Sequence, residues 1–186
     1  MPYSHHHQIS TIMDLIILCK PQSVVDIGPG YGLYGHLCWH YLERATGKWV
    51  NLYCEEPNES LHPELTRIYN ATRKAEEFRS YSRDLTLMID VIEHVVKPEG
   101  RTMLTKAIDQ SKYVIVSTPK KFWPQDDQGE YEKHRCLWSK RDLLSMPGEK
   151  IYIKNPYSHL VLYGKGAKEI GWFRFKRKVY ELIGRV

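Results

Sequence analysis

Seven short β-like runs alternating with helical stretches predict an α/β protein built on a doubly wound, mostly parallel seven-stranded sheet with an antiparallel C-terminal hairpin. Three observations carry this prediction. Val24, Val25 and Ile27 form a β-branched run of the kind that fills a strand covered on both faces, and it leads directly into Gly28-Pro29-Gly30-Tyr31-Gly32. Leu33, Leu37 and Tyr41 then recur at helical spacing, which completes a strand, turn and helix. The last two runs, Lys150–Lys154 and His159–Tyr163, are joined only by Asn155-Pro156-Tyr157-Ser158, a link suited to antiparallel neighbours at the sheet edge.

The remaining elements follow in chain order. Ile9, Ile12, Met13, Ile16 and Ile17 predict an N-terminal helix, with Ser4 or Ser10 as cap and Pro21 as its end. Consecutive helical residues point around the axis, so His5-His6-His7 is read as an exposed helix start and not as a metal site. Lys48–Cys54 is the expected second strand, and it ends in Glu55-Glu56-Pro57-Asn58. Nucleotide-binding α/β folds place a carboxylate at such a strand end to accept hydrogen bonds from ribose hydroxyls; Glu56, beside the strand-stopping Pro57, is preferred over Glu55. Residues 59–83 should hold a helix from about Ser60 and a short third strand before Lys74. Leu85–Val91 and Tyr113–Val116 read as the fourth and fifth strands, with a helix opened by Pro98-Glu99 between them. Residues 117–139 lack any period and are long for a connection, which marks them as an active-site loop or lid. A short helix over Ser139–Met146 and a Pro147-Gly148 turn lead to the hairpin. Residues 168–186 present Trp172, Phe175, Val179, Leu182 and Val186 on one helical stripe, with Arg174, Lys178 and Arg185 opposite.

A chain of 186 residues, 42% hydrophobic and 26% charged, fits one globular domain, and no apolar run reaches the roughly 18 residues of a membrane span. Without a basic segment, apolar core and small-residue cleavage site at the N-terminus, no secretory leader is expected. Cys19, Cys38, Cys54 and Cys136 form no CxxC pair and read as reduced thiols of a cytoplasmic protein. The net charge of +5 is unevenly spread: residues 1–100 hold 9 Lys/Arg against 13 Asp/Glu, and residues 101–186 hold 18 against 9. The basic second half suits an anionic ligand as well as it suits a solvated surface.

Four motifs in order resemble the class I S-adenosylmethionine-dependent methyltransferases: Asp26-Ile27-Gly28-Pro29-Gly30-Tyr31-Gly32, the acid Glu56, Asp90-Val91-Ile92-Glu93-His94 and Ser117-Thr118-Pro119. Over residues 10 to 165 the chain is most similar to the small-molecule branch that includes the ubiquinone-biosynthesis O-methyltransferases. Gly30-Tyr31-Gly32-Leu33-Tyr34-Gly35 also satisfies a dinucleotide GxGxxG pattern, but in that register the first glycine should follow the strand directly. Here Gly28 does so, and position 33 is Leu.

The resemblance implies a Rossmann-like methyltransferase fold over 1–167, with 168–186 as a basic helix or tail. That helix would dock on its own sheet, on a second copy of the chain or on an acidic partner; a membrane-surface role is disfavoured. The resemblance further implies that Gly28, Pro29, Gly30 and Gly32 line the donor's methionine and ribose, and that Asp26 lies near its amino group. Glu56 would hold the ribose hydroxyls, Ala75 and Glu76 would sit near the adenine, and Asp90-Val91 would form the floor under the methyl group. Lys74-Ala75-Glu76 departs from the family's usual Gly-Asp pair at the third strand.

Asp90, Glu93 and His94 have i, i+3, i+4 spacing and would share a face if the backbone turned helical after the fourth strand, with His134 joining from the long loop. This resembles the E-x-x-E-H plus distant His metal site of small-RNA 2′-O-methyltransferases, with Asp in place of the first Glu. Relatives without metal carry Glu-His at the same place to close the cofactor pocket. The metal-free arrangement is preferred here, with His94 or His134 as general base; a divalent ion on Asp90, Glu93, His94 and His134 is the alternative.

The expected activity is methyl transfer to a small-molecule hydroxyl. The alternatives are a catalytically degenerate binding protein and an RNA 2′-O-methyltransferase, the latter not favoured because no RNA-binding module is appended. Asn155-Pro156-Tyr157 is similar to the Asn-Pro-Pro-Tyr signature of amino-group methyltransferases but falls in the hairpin, away from the fourth strand, and is read as a turn.

Overall fold

In the computed structural model, residues 6–73, 83–122 and 129–174 are described. The chain begins with helix α1 (His6–Cys19) and strand β1 (Ser23–Ile27), followed by α2 (Leu33–Thr46) and β2 (Asn51–Glu55). A 3-10 turn (Glu59–Leu61), the short α3 (His62–Leu65) and β3 (Ala71–Arg73) come next. Strand β4 (Arg83–Ile89), a 3-10 turn (Ile92–His94), α4 (Lys97–Gln110) and β5 (Ser111–Pro119) form the centre. A 3-10 turn (Glu130–Glu132), α5 (Lys140–Leu144), β6 (Lys150–Ile153) and β7 (Ser158–Tyr163) complete the sheet, and a last helical stretch covers 167–174.

The seven strands lie in the order β3-β2-β1-β4-β5-β7-β6. β1 to β5 pair parallel, and β7 inserts antiparallel between β5 and the edge strand β6. The sheet is covered on both faces, as the apolar strand runs predicted: Val24, Leu85 and Leu87 join one core with Ile12, Leu15 and Ile16 of α1, and Val25 and Met88 join the other with Leu104 and Ala107 of α4. No helix among the described residues is long and apolar enough to cross a membrane.

Several boundaries differ from the expected ones for local reasons. β2 starts three residues later than Lys48, because α2 ends on Gly47 in the left-handed region and Trp49 is left exposed. The helix expected from Ser60 breaks into a 3-10 turn and one α-helical turn, with the 3-10 turn capped by Asn58 accepting from the Ser60 N–H. β4 stops at Ile89 because Asp90 takes φ 55°. Ser10 lies inside α1 and does not cap it, whereas Ser139 caps α5 through a reciprocal box with Asp142. Helix 167–174 packs back on the chain: Gly171 lies so close to Ile151 that a Cβ would come within 2.4 Å of its Cδ1, and Arg174 reaches Asp14 at 3.4 Å and Thr11 Oγ1 at 2.9 Å. Phe175, Lys178, Val179, Leu182, Arg185 and Val186, and with them most of the predicted amphipathic stripe, lie outside the described residues.

Candidate functional site

The carboxyl ends of β1, β2, β4 and β5 carry the candidate residues. After β1, Gly28 donates to the Glu55 carbonyl at 2.8 Å, and Gly28, Gly30 and Gly32 have φ of 62°, 56° and 76°. Side chains rarely adopt that conformation, so the turn requires glycine. Two of the glycines are also demanded by the protein's own packing. A Cβ on Gly28 would lie 2.9 Å from Val91 Cγ2, and one on Gly32 would lie 2.7 Å from Ile68 Cδ1. Ligand approach is therefore not their sole reason.

Glu55 and Glu56 have separate fates. Glu55 forms a buried ion pair with Arg83 at 3.0 Å. Glu56 turns to the glycine loop, where its carboxylate accepts from the Gly30 N–H at 3.2 Å and the Asn58 N–H at 2.9 Å. Burial raises its pKa, opposed by those two N–H groups. Asp26, the penultimate residue of β1, is buried and accepts from the Tyr69 hydroxyl at 2.7 Å. Burial pushes its carboxyl up to about 7, with the Tyr69 bond opposing the rise and the Glu56 charge adding to it.

Asp90 stands at the end of β4. Its Oδ2 accepts from Gln8 Nε2 at 2.7 Å, its Oδ1 lies 2.9 Å from Ser117 Oγ, and Ser117 Oγ lies 2.6 Å from Gln8 Oε1. The expected helical face of Asp90, Glu93 and His94 does not form. With Asp90 at φ 55° and Val91 at φ −123°, regular winding begins only at Ile92, and Asp90 is turned to Gln8 and Ser117. The residues whose ligand atoms lie within 4.8 Å of one another are Glu93, His94 and His134, without Asp90.

The loop bearing His134 is fastened to that group through the backbone. The Glu93 carbonyl accepts from the N–H groups of Arg135 at 2.7 Å and Cys136 at 3.2 Å, and the fully buried Trp138 donates from Nε1 to the Ile92 carbonyl at 3.0 Å. The two imidazole rings meet edge to face with centroids 4.9 Å apart, and Phe122 stands against His134 at 6.1 Å. His94 Nδ1 faces the Lys133 carbonyl at 3.3 Å, a contact that requires the proton on Nδ1 and leaves Nε2 as a lone-pair donor.

The electrostatics of this group are unusual. Both Glu93 oxygens and His134 Nδ1 are buried without a hydrogen-bond partner among the described residues. Burial, followed by the Asp90 charge, holds the Glu93 pKa well above the carboxylate range. Burial also lowers His94 and His134, so both imidazoles are held neutral, the form that binds metals. Two neutral imidazoles and a buried carboxyl group whose ligand atoms lie within 4.8 Å of one another fit a divalent cation, which would take the place of the Glu93 proton.

Of the residues singled out from the sequence, Asp26, Gly28, Pro29, Gly30, Gly32, Glu56, Asp90 and Val91 stand at neighbouring strand ends, and His94 and His134 come together. Ala75 and Glu76 lie outside the described residues. Ser117 belongs to one of the four motifs but had no assigned role, and Gln8 and Tyr69 stand outside all of them. Gln8 carried one signal, a polar residue i−4 from Ile12 in the apolar stripe of α1.

This strand order, with a glycine turn after β1 and a reversed final hairpin, is the class I methyltransferase fold. No family model matches the sequence, and no curated protein matches it. Among solved structures the chain is similar to the methyltransferase domain of a bacterial Hen1, CtHen1, with a TM-score of 0.63 and 14% identity over 85% of this chain and 97% of that one. It is similar to the magnesium protoporphyrin IX methyltransferase ChlM from Synechocystis with bound SAM, at a TM-score of 0.56 and 14% identity over 84% and 78% of the two chains. It also matches a chain of the Pnkp1/Rnl/Hen1 RNA repair complex, at a TM-score of 0.62 and 13% identity over 88% and 42%. Identities this low define the shared fold.

Proposed function

We propose that the chain transfers a methyl group from S-adenosylmethionine (SAM) to a hydroxyl oxygen of an acceptor held above Asp90 and Val91. The observation that carries this reading is the adjacency of two groups on one end of a methyltransferase fold: the Gly28–Gly32 turn with Glu56 against it, and the cluster of buried Glu93 with half-buried His94 and His134. SAM supplies an electrophilic methyl on a sulfonium. Glu56, shielded and already accepting from Gly30, is placed to take the ribose hydroxyls, and Asp26 to face the α-ammonium group.

In the reaction the acceptor oxygen bonds to the methyl carbon, the carbon–sulfur bond breaks with its electron pair on sulfur, and the hydroxyl proton must leave. Much of the rate comes from alignment and exclusion of water, for which orientation contributes about 7–11 kcal/mol. In a metal-free site, neutral His94 or His134 would take the proton. A divalent ion on Glu93, His94 and His134 would lower the pKa of the hydroxyl. The orphaned Glu93 oxygens and His134 Nδ1 bring this metal-bearing form ahead of the metal-free one preferred from sequence.

For the acceptor, a small hydroxyl compound is the first reading. A ribose hydroxyl of RNA is the second, supported by Lys133 and Arg135 on either side of His134 and by the likeness to a chain of an RNA repair complex. The test is transfer from isotope-labelled SAM to a phenol and catechol panel and to short RNA, each with Mn²⁺ and with a chelator. Label in either acceptor set supports the proposal and chooses between its two forms. Donor binding with label in neither set would overturn it in favour of a binding protein without catalysis.

A further inference from the structure

Gln8 has no place in the donor-binding motifs, lies 82 residues from Asp90 and 109 from Ser117 in sequence, and is fully buried. A primary amide inside an apolar helical stripe is costly unless both its ends are satisfied. Both are: Nε2 donates to Asp90 Oδ2 and Oε1 is met by Ser117 Oγ. Ser117 has one hydroxyl hydrogen and two acceptors within 2.9 Å, so it serves one at a time. The amide of Gln8 thus offers Asp90 a hydrogen that, unlike the Ser117 hydroxyl, is not shared with the Gln8 oxygen.

The consequence reaches two sites. Asp90 is held in a left-handed conformation, tied through its own N–H to the Ser117 carbonyl at 2.9 Å. The next residue, Val91, fills the space beside Gly28 where a Cβ would otherwise stand. The first turn of α1 is therefore bonded to the strand end that packs on the glycine turn. The same bonds turn the Asp90 carboxylate away from Glu93, His94 and His134.

We propose that Gln8 is a positioning residue that couples docking of α1 to the donor floor, so that donor affinity depends on the Gln8–Asp90 hydrogen bond. This rests on the methyltransferase reading. Coupling of this kind is reciprocal, so bound donor also tightens the first turn of α1.

The test is a double-mutant cycle read by calorimetric binding of S-adenosylhomocysteine to the full chain, using Gln8→Glu, Asp90→Asn and the combined variant. Gln8→Glu keeps the shape but sets two acceptors against each other. The combined variant restores one donor and one acceptor with the direction reversed. Gln8→Glu should weaken binding about tenfold or more, the effect of one charge-assisted hydrogen bond, and the combined variant should bind more tightly than the product of the single effects requires. A role in packing alone would leave Gln8→Glu like wild type; that result, or single effects that simply multiply, would overturn the proposal. Should Gln8→Glu fail to fold, hydrogen exchange of the wild-type chain decides: the ligand should slow exchange at residues 8–12 several-fold, and unchanged rates there would overturn the coupling. Wild-type protein that binds no S-adenosylhomocysteine would instead remove the methyltransferase reading itself.

Discussion

The Tyr69 hydroxyl donates a 2.7 Å hydrogen bond to Oδ2 of Asp26, joining the segment before β3 to the buried end of β1. Burial pushes Asp26 up to about 7, so near neutral pH this carboxyl passes between its neutral and charged forms. An adjacent ammonium group favours the charged form, so binding of a donor with a free α-amino group should tighten as pH rises through about 7. Binding isotherms at several pH values test this, and Asp26→Asn should bind weakly with a flat profile. A wild-type affinity that falls across the same window would contradict it.

The same shift predicts the pH dependence of stability. Unfolded Asp titrates near 3.9, and the folded carboxyl keeps its proton up to about 7. Between those values the native state holds a proton that the unfolded state has released. Raising the pH across the window therefore lowers stability. Melting temperatures of wild type and Asp26→Asn should converge at low pH and separate as pH approaches 7, with the variant the more stable; parallel curves would refute the assignment.

Gly35 lies against Tyr69 so closely that a Cβ would come within 2.4 Å of the Tyr69 hydroxyl and Cζ. Gly35→Ala should lose about 1–3 kcal/mol to overpacking and displace the hydroxyl from Asp26. Thermal unfolding measures the loss. A variant as stable as wild type would mean that Tyr69 moves aside at no cost.

These pairs show what the sequence made legible. Strands β1, β4 and β5 were readable because both of their faces are buried, which leaves an apolar run free of competing signals. The glycine turn was readable as a turn, but packing against Val91 and Ile68 is visible only in three dimensions. The helical face of Asp90, Glu93 and His94 failed because one positive φ at Asp90 breaks the period, and spacing alone does not reveal such a residue. Residues 59–73 were hard to read because three pieces of three or four residues each are too short to show any period. Gln8, Ser117 and Tyr69 act through partners 27 to 109 residues away, a separation that carries no local pattern.

Glu93, His94 and His134 yield a metal prediction. Mn²⁺ should raise the melting temperature of wild type, and this increment should vanish in Glu93→Gln and His134→Ala. Because the metal takes the place of the proton on a carboxyl whose pKa is raised, binding should weaken as pH falls. An equal increment in wild type and His134→Ala would exclude the cluster as the site.

Trp138 fixes the geometry of that cluster from beneath, donating to the Ile92 carbonyl while packing on Gly100, where a Cβ would lie 2.8 Å from its ring. Trp138→Phe leaves the Ile92 carbonyl with the long Cys136 Sγ contact at 3.7 Å in place of a 3.0 Å bond and should cost about 1–3 kcal/mol. Its turnover should fall more than its donor affinity, since the glycine turn and Glu56 proposed to hold the donor follow other strands, β1 and β2. Kinetics beside calorimetry would separate the two, and equal losses in both would contradict the placement.

If the Gly28–Gly32 turn and Glu56 form a SAM site, calorimetric titration of SAM should show saturable one-to-one binding in wild type, weakened about tenfold or more in Glu56→Ala by loss of shielded hydrogen bonds to the ribose. Absence of binding in wild type, or an affinity unchanged by Glu56→Ala, would contradict it.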